Sequence, residues 1–210
     1  MKKIAAGRTN NSARQPDSAA AVGEIHFYRA NEKPYGAFSN LFQRSIVFEN
    51  RVYPTAEHAY QAGKPRKEEV REWILSAPTP ALVAMAAHGL YTWDIVPEWS
   101  QTKYDRMRKV LHEKFTQHED LRKLLLSTGT ARLVESGSVP NLVNRTWGEV
   151  NGKGQNLLGI LLMELRAELS KPAMNDASRS KRQLQNKRSV LRASTVPATA
   201  VKRGAAATTA

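Results

Sequence analysis

The sequence predicts a mostly helical α+β domain, and three observations carry that expectation. Between residues 98 and 117, Trp99, Tyr104, Met107, Val110, Leu111 and Phe115 recur at helical spacing, giving one long amphipathic helix. Residues 155–169 hold Leu157, Leu158, Ile160, Leu161, Leu162 and Leu165, a strongly apolar closing helix. The β-prone runs are few and short, which leaves room only for a small β element.

Taken in order, residues 25–29 read as a strand, followed by a turn at Pro34-Tyr35-Gly36 and the run Phe38-Ser39-Asn40-Leu41-Phe42. Residues 45–49 and 51–53 read as a hairpin or bent strand joined at Asn50. Pro54 stands where a helix can begin, with Thr55 and Glu57 in a first turn that runs to about Ala62. Residues 67–76 and 80–87 give two more helices, with Trp73 assigned to the core. A short helix over 121–126 stops near Gly129, and residues 131–135 suit a strand. Residues 136–154 contain four glycines and three asparagines and are expected to be a loop.

The ends differ from the centre. Residues 1–22 and 170–210 hold few large apolar side chains and are expected to be disordered, flanking a single domain over 24–169. The net charge of +13 is uneven: residues 170–210 hold nine Lys/Arg against one acid, residues 24–169 nineteen against seventeen. Any sequence-independent attraction to nucleic acid therefore belongs to the basic C-terminal segment. The absence of cysteine excludes disulfides, thiolate metal sites and cysteine nucleophiles, and fits a reducing, cytoplasmic setting. No apolar run approaches the roughly 20 residues of a membrane span, and Arg8 follows Lys3 too soon for a secretory leader.

Glu57, Gln61 and Lys64 are spaced to share one helix face, which offers a carboxylate and an ammonium for acid/base chemistry. An exposed helix with a weak surface ion pair explains the same spacing, and spacing alone favours it. His58 has no second histidine at i+4, so no metal site is expected. Trp99 and Trp147 either line a cleft that stacks a nucleoside or pin a loop to the domain, and the sequence leaves both open. The glycines of residues 144–156 match neither the dinucleotide fingerprint nor the P-loop.

Several segments in order resemble the NADAR (YbiA-like) family of N-glycosidases. They are Phe27-Tyr28-Arg29, Tyr35-Gly36-Ala37-Phe38-Ser39-Asn40 and the run from Tyr53 through Glu57-His58 to Gly63-Lys64. Trp99 with Lys103, Leu133-Val134-Glu135, Trp147-Gly148 and Gly154-Gln155-Asn156-Leu157-Leu158-Gly159 follow. The resemblance implies hydrolysis of a ribosyl C1–N bond, in phosphoribosylamino-pyrimidine intermediates of riboflavin synthesis or in ADP-ribose attached to guanine. It implies a compact, mainly helical fold and needs neither metal nor cofactor. One departure stands out: Asn144-Arg145-Thr146-Trp147-Gly148 replaces the family's common Asp-x-x-Trp-Gly, losing a charge and a proton carrier.

The roles implied by the resemblance centre on Glu57, as the carboxylate that stabilises positive charge at C1. Lys64 is the second expected catalytic group, binding a hydroxyl or phosphate or trapping the opened sugar as an imine. Asn40 and Asn156 are expected to bond the ribose or phosphates, and Trp99 and Trp147 to wall the pocket. Arg29, Phe38, Ser39, His58, Gln61, Lys103, Asn144 and Gly148 complete the expected substrate-binding set. Glu135 is expected to be structural, at the end of its strand. Two other function classes remain: a silent ADP-ribose or nucleotide reader, motivated by Asn144, and a nucleic-acid-tethered binding protein using the basic tail.

Overall fold

The computed structural model describes residues 23–171. Two strands distant in sequence form its first sheet: β1 (Glu24–Phe27) runs parallel to β4 (Arg132–Glu135), with Phe27 opposite Glu135. A two-stranded parallel sheet has two free edges, and the outer edge of β4 is satisfied by a side chain. Asn156 sits at φ 50°, donates from Nδ2 to the Leu133 carbonyl at 2.8 Å and accepts the Glu135 amide at 3.0 Å. Its carboxamide thus takes the place of a neighbouring strand.

Immediately after Asn156, α7 (Leu157–Leu169) buries Leu158, Leu161, Leu162 and Leu165. It approaches β4 at Gly159, where a Cβ would lie 2.1 Å from the Leu133 carbonyl. A second close approach occurs at Gly148, whose Cβ would lie 2.2 Å from the Glu135 carbonyl; that oxygen accepts the Glu149 amide at 2.7 Å. The end of β4 is therefore gripped from three sides.

The second sheet is the hairpin of β2 (Ile46–Phe48) and β3 (Arg51–Tyr53). Its two turn residues, Glu49 and Asn50, both have positive φ (50° and 59°), which matches the right-handed twist of the strands. Ile46, Phe48 and Tyr53 pack on Ala56, Ala59 and Ala62, from α1 (Ala56–Gln61) and the residue after it, and on Val110. Val110 belongs to α4 (Trp99–Gln117), whose buried stripe is Met107, Val110, Leu111, Lys114 and Phe115. Lys114, 1% exposed, donates to the Ser39 carbonyl at 2.8 Å beside the Phe42 and Phe115 rings. Among the described residues it carries no ion pair, and it fixes the chain segment that leads to Asn40.

The remaining helices are α2 (Glu68–Leu75), α3 (Pro80–His88) and α5 (Glu119–Ser127). Thr79 caps α3 by accepting the Leu82 amide, with Pro80 in the first turn. The fold is thus mostly helical α+β. Two expectations are corrected. Within residues 136–154 a helix forms, α6 (Leu142–Trp147), because Asn141 accepts the Asn144 amide at 2.8 Å and starts it. Trp73 is 61% exposed rather than core, since α2 buries only Ile74. The segments 1–22 and 172–210, where disorder and the basic tail were expected, lie outside the described residues. Among the described residues no helix is long and apolar enough to cross a membrane.

Replacing Asn156 with Ala removes both bonds to β4 and strands a buried carbonyl and amide. The expected loss is about 3 kcal/mol of unfolding free energy, read from the urea midpoint at constant slope.

Candidate active site

The site begins with the short helix α1. Thr55, extended at φ −149°, caps it through the His58 amide and bonds His58 Nδ1 at 2.8 Å. Fixing residue 55 this way fixes the next turn, and Glu57 donates its own amide to the Asn40 carbonyl at 3.1 Å. The Glu57 side chain is buried and accepts a hydrogen bond from Gln61 Nε2 at 2.8 Å, one turn on. Two acceptors beside it have no partner: Gln61 Oε1 and Asn40 Oδ1 are buried and unbonded. Asn40 is oriented by its other end, where Nδ2 meets Met107 Sδ at 3.1 Å.

Glu57, Asn40 and Gln61 line a cavity of about 270 Å³. Glu57 and Glu135 both line it, with Tyr60 and Trp147 as aromatic wall and Arg29 and His88 among the polar lining. Trp147 meets Tyr60 edge-on at 5.6 Å and tilts against Tyr104 at 5.6 Å, so α6 is pinned to α1 and α4 by rings. Trp99 packs behind Tyr60, 5.2 Å between centroids. Arg29 brings a guanidinium with no ion pair among the described residues. Unlike Glu57, Glu135 receives no hydrogen bond at its carboxylate there.

Burial sets the electrostatics. It raises the Glu57 carboxyl to about 6, against the opposing Gln61 hydrogen bond. Burial first, and then the negative charge of Glu57, push Glu135 up to about 7. Burial lowers His88, with the nearby Lys64 charge adding to it. Two carboxyls in one cavity, both with raised proton affinity, are the groups there that could exchange protons near neutral pH.

Of the expected site residues, the structure brings Arg29, Ser39, Asn40, Glu57, Gln61, Asn144 and Trp147 to the cavity. The others lie off its lining, each for a physical reason. Phe38 is fully buried between the Phe27, Tyr35 and Phe115 rings. His58 is held by Thr55. Lys64 lies beyond the end of α1, so it leaves the Glu57 face and donates to the Ala87 carbonyl at 2.5 Å, in the last turn of α3. Lys103 lies over the Tyr104 ring, and Gly148 is packed on Glu135. Asn156 has both amide atoms engaged by β4, contrary to its expected contact with ribose or phosphate.

The correction with most consequence concerns Glu135, expected to be structural and found in the cavity. Strand alternation holds the signal, because Glu135 shares a face with the fully buried Leu133. Tyr28, Tyr60, His88 and Met107 also line the cavity and were not anticipated. Asn144 is fitted to its surroundings: its Nδ2 donates to the Val139 carbonyl at 2.8 Å, a bond that an ionised aspartate could not make.

The same arrangement of segments is found in known proteins. A model of the NADAR domain matches residues 26–170. The chain belongs to the NADAR family. It is 40% identical to N-glycosidase YbiA of Shigella flexneri over 147 residues, covering 70% of this chain and 88% of that protein. It is 31% identical over 150 residues to a riboflavin biosynthesis protein of Vibrio vulnificus, covering 71% of this chain and 39% of that longer one. The NMR structure of the E. coli protein YbiA superimposes with a TM-score of 0.62 at 38% identity, covering 71% of this chain and 86% of that one. The NADAR match spans every segment that builds the cavity.

The raised carboxyls have a thermodynamic signature. Each holds its proton more tightly folded than unfolded, so the stability it contributes is complete below about pH 4.5. That contribution is lost as pH rises through about 6 for Glu57 and about 7 for Glu135. Glu57→Gln, which has no charge to bury, should exceed the parent by about 2 kcal/mol at pH 8 and match it at pH 4. Chemical denaturation at the two pH values measures the difference.

Proposed function

We propose that this chain is an N-glycosidase that hydrolyses a ribosyl C1–N bond, with Glu57 as its key carboxylate. The observation that carries the reading is a buried carboxylate, oriented by Gln61, in a cavity lined also by Asn40, Tyr60 and Trp147. Carboxylate and amide side chains lining one cavity suit the hydroxyls of a ribose. Breaking the C1–N bond builds positive charge on C1 and the ring oxygen, and an ionised Glu57 stabilises it and orients water.

Size and charge favour one substrate class. A volume of about 270 Å³ lies just below the usual range of ligand pockets, roughly 300–1,000 Å³. It suits one phosphoribosyl group with its base better than a dinucleotide. A single unpaired guanidinium, Arg29, matches a single phosphate. Tyr60 and Trp147, set edge-on to each other, give the base an aromatic wall. The Vibrio relative is named a riboflavin biosynthesis protein, and a phosphoribosylamino-pyrimidine of that synthesis is the ribotide we propose as substrate. ADP-ribosylated guanine is the second substrate class of this reading.

Purified protein should be assayed side by side on amino-pyrimidine ribotides and on guanine-ADP-ribosylated DNA. Release of free base from the ribotide is expected, with Glu57→Gln lowering kcat by about 100-fold or more. A Glu57→Gln variant that cleaves at the parent rate contradicts the role of Glu57. A parent protein that leaves both substrates intact contradicts the glycosidase reading itself.

A further inference from the structure

Glu135 is the most conspicuous group that the reaction described so far does not use. Its main chain is held by Asn156, by the Glu149 amide and by the close packing of Gly148. None of those contacts involves its carboxylate, which has no bonding partner among the described residues. Arg132, on β4 itself, pairs with Glu24 at 2.7 Å and with Glu149, and Arg29, which lines the same cavity, makes no ion pair with Glu135. A carboxylate aimed inward without a cation, next to a second carboxylate, weakens the fold and makes no structural bond in return. Its only function left is toward what fills the cavity.

We propose that Glu135 is a second catalytic residue, the acid that protonates the departing nitrogen while Glu57 carries the negative charge. The proposal rests on the N-glycosidase reading and assigns the two roles by their contacts. Glu57 accepts an amide hydrogen from Gln61, which favours its ionised form. Glu135 receives no donor and faces that charge, which favours its neutral form, in line with the order of the two pKa values. The other titratable or charged groups lining the cavity are Tyr28, Arg29, Tyr60 and His88.

The step balances as follows. The Glu135 carboxyl gives its proton to the glycosidic nitrogen, the C1–N bond breaks, and its electron pair leaves on that nitrogen. A water oxygen bonds to C1, and the water proton passes to the Glu57 carboxylate. Transfer of that proton to Glu135, directly or through solvent, restores the starting state. Water is the only co-reactant.

The experiment compares Glu135→Gln with the parent on two ribosides that differ in their need for a proton. One is the amino-pyrimidine ribotide, whose nitrogen must be protonated to leave. The other is a nitrophenyl riboside 5-phosphate, whose phenolate leaves unassisted. The expected result is a loss of about 100-fold or more in kcat/KM on the ribotide and less than about fivefold on the nitrophenyl riboside. The parent should lose activity on the ribotide above about pH 7, and the variant should lose that alkaline limb. A thermal melt at or above that of the parent shows that the variant is folded. Equal losses on the two substrates, or none on either, overturn the role of Glu135 and leave the glycosidase reading standing. A parent protein inactive on both substrates overturns both.

Discussion

Two carboxylates share one cavity of about 270 Å³, and among the described residues neither is bonded to a cation. That constraint organises the rest of the molecule. Two buried carboxyls that make no ion pair are tolerated only if the groups holding them are themselves fixed, because relaxation would let them turn out to solvent. Glu57 is fixed through Thr55, the Asn40 carbonyl and Gln61. Glu135 is fixed through its main chain by Asn156 and the Glu149 amide. The two arms converge from opposite ends of the sequence, which explains why so much of the fold is devoted to joining β1, β4 and α7.

The support extends one layer outward. Lys114 has no acidic partner among the described residues, and burial pushes its ammonium down to about 7; it nevertheless holds the Ser39 carbonyl and so the position of Asn40. Lys64 has a comparable role at the other side, tying the end of α1 to the last turn of α3, whose final residue, His88, lines the cavity. The ring cluster of Tyr60, Trp99, Tyr104 and Trp147 seals α6 against α1 and α4. Both lysines support the site through backbone carbonyls without entering it.

Much of this was legible in the sequence where the signal was periodic. The stripe of α4, the apolar closing helix, the Asn50 hairpin and the placement of Glu57 in a first turn all follow from spacing. The signals that were hidden are those in which a polar side chain has an unusual partner. Lys114 lies on the same helical stripe as Leu111 and Phe115, yet a lysine is ordinarily read as solvated. Glu135 shares a strand face with Leu133, and an acid at a strand end is ordinarily read as an edge. Asn156 was assigned to substrate because an amide that mimics a strand cannot be told from one that binds a ligand until its partners are known. The helix α6 was obscured by its glycine-rich flanks, although Asn141 supplies the cap.

The central claim is that Glu57 and Glu135 form an interacting pair with raised and unequal proton affinities. Side-chain carboxyl carbon shifts of glutamate, followed by NMR from pH 3 to 9 and assigned through Glu57→Gln and Glu135→Gln, measure it directly. Two carboxyls should titrate near 6 and 7, and removal of Glu57 should lower the midpoint of Glu135. Titration of both near 4.5, each indifferent to loss of the other, would contradict the account.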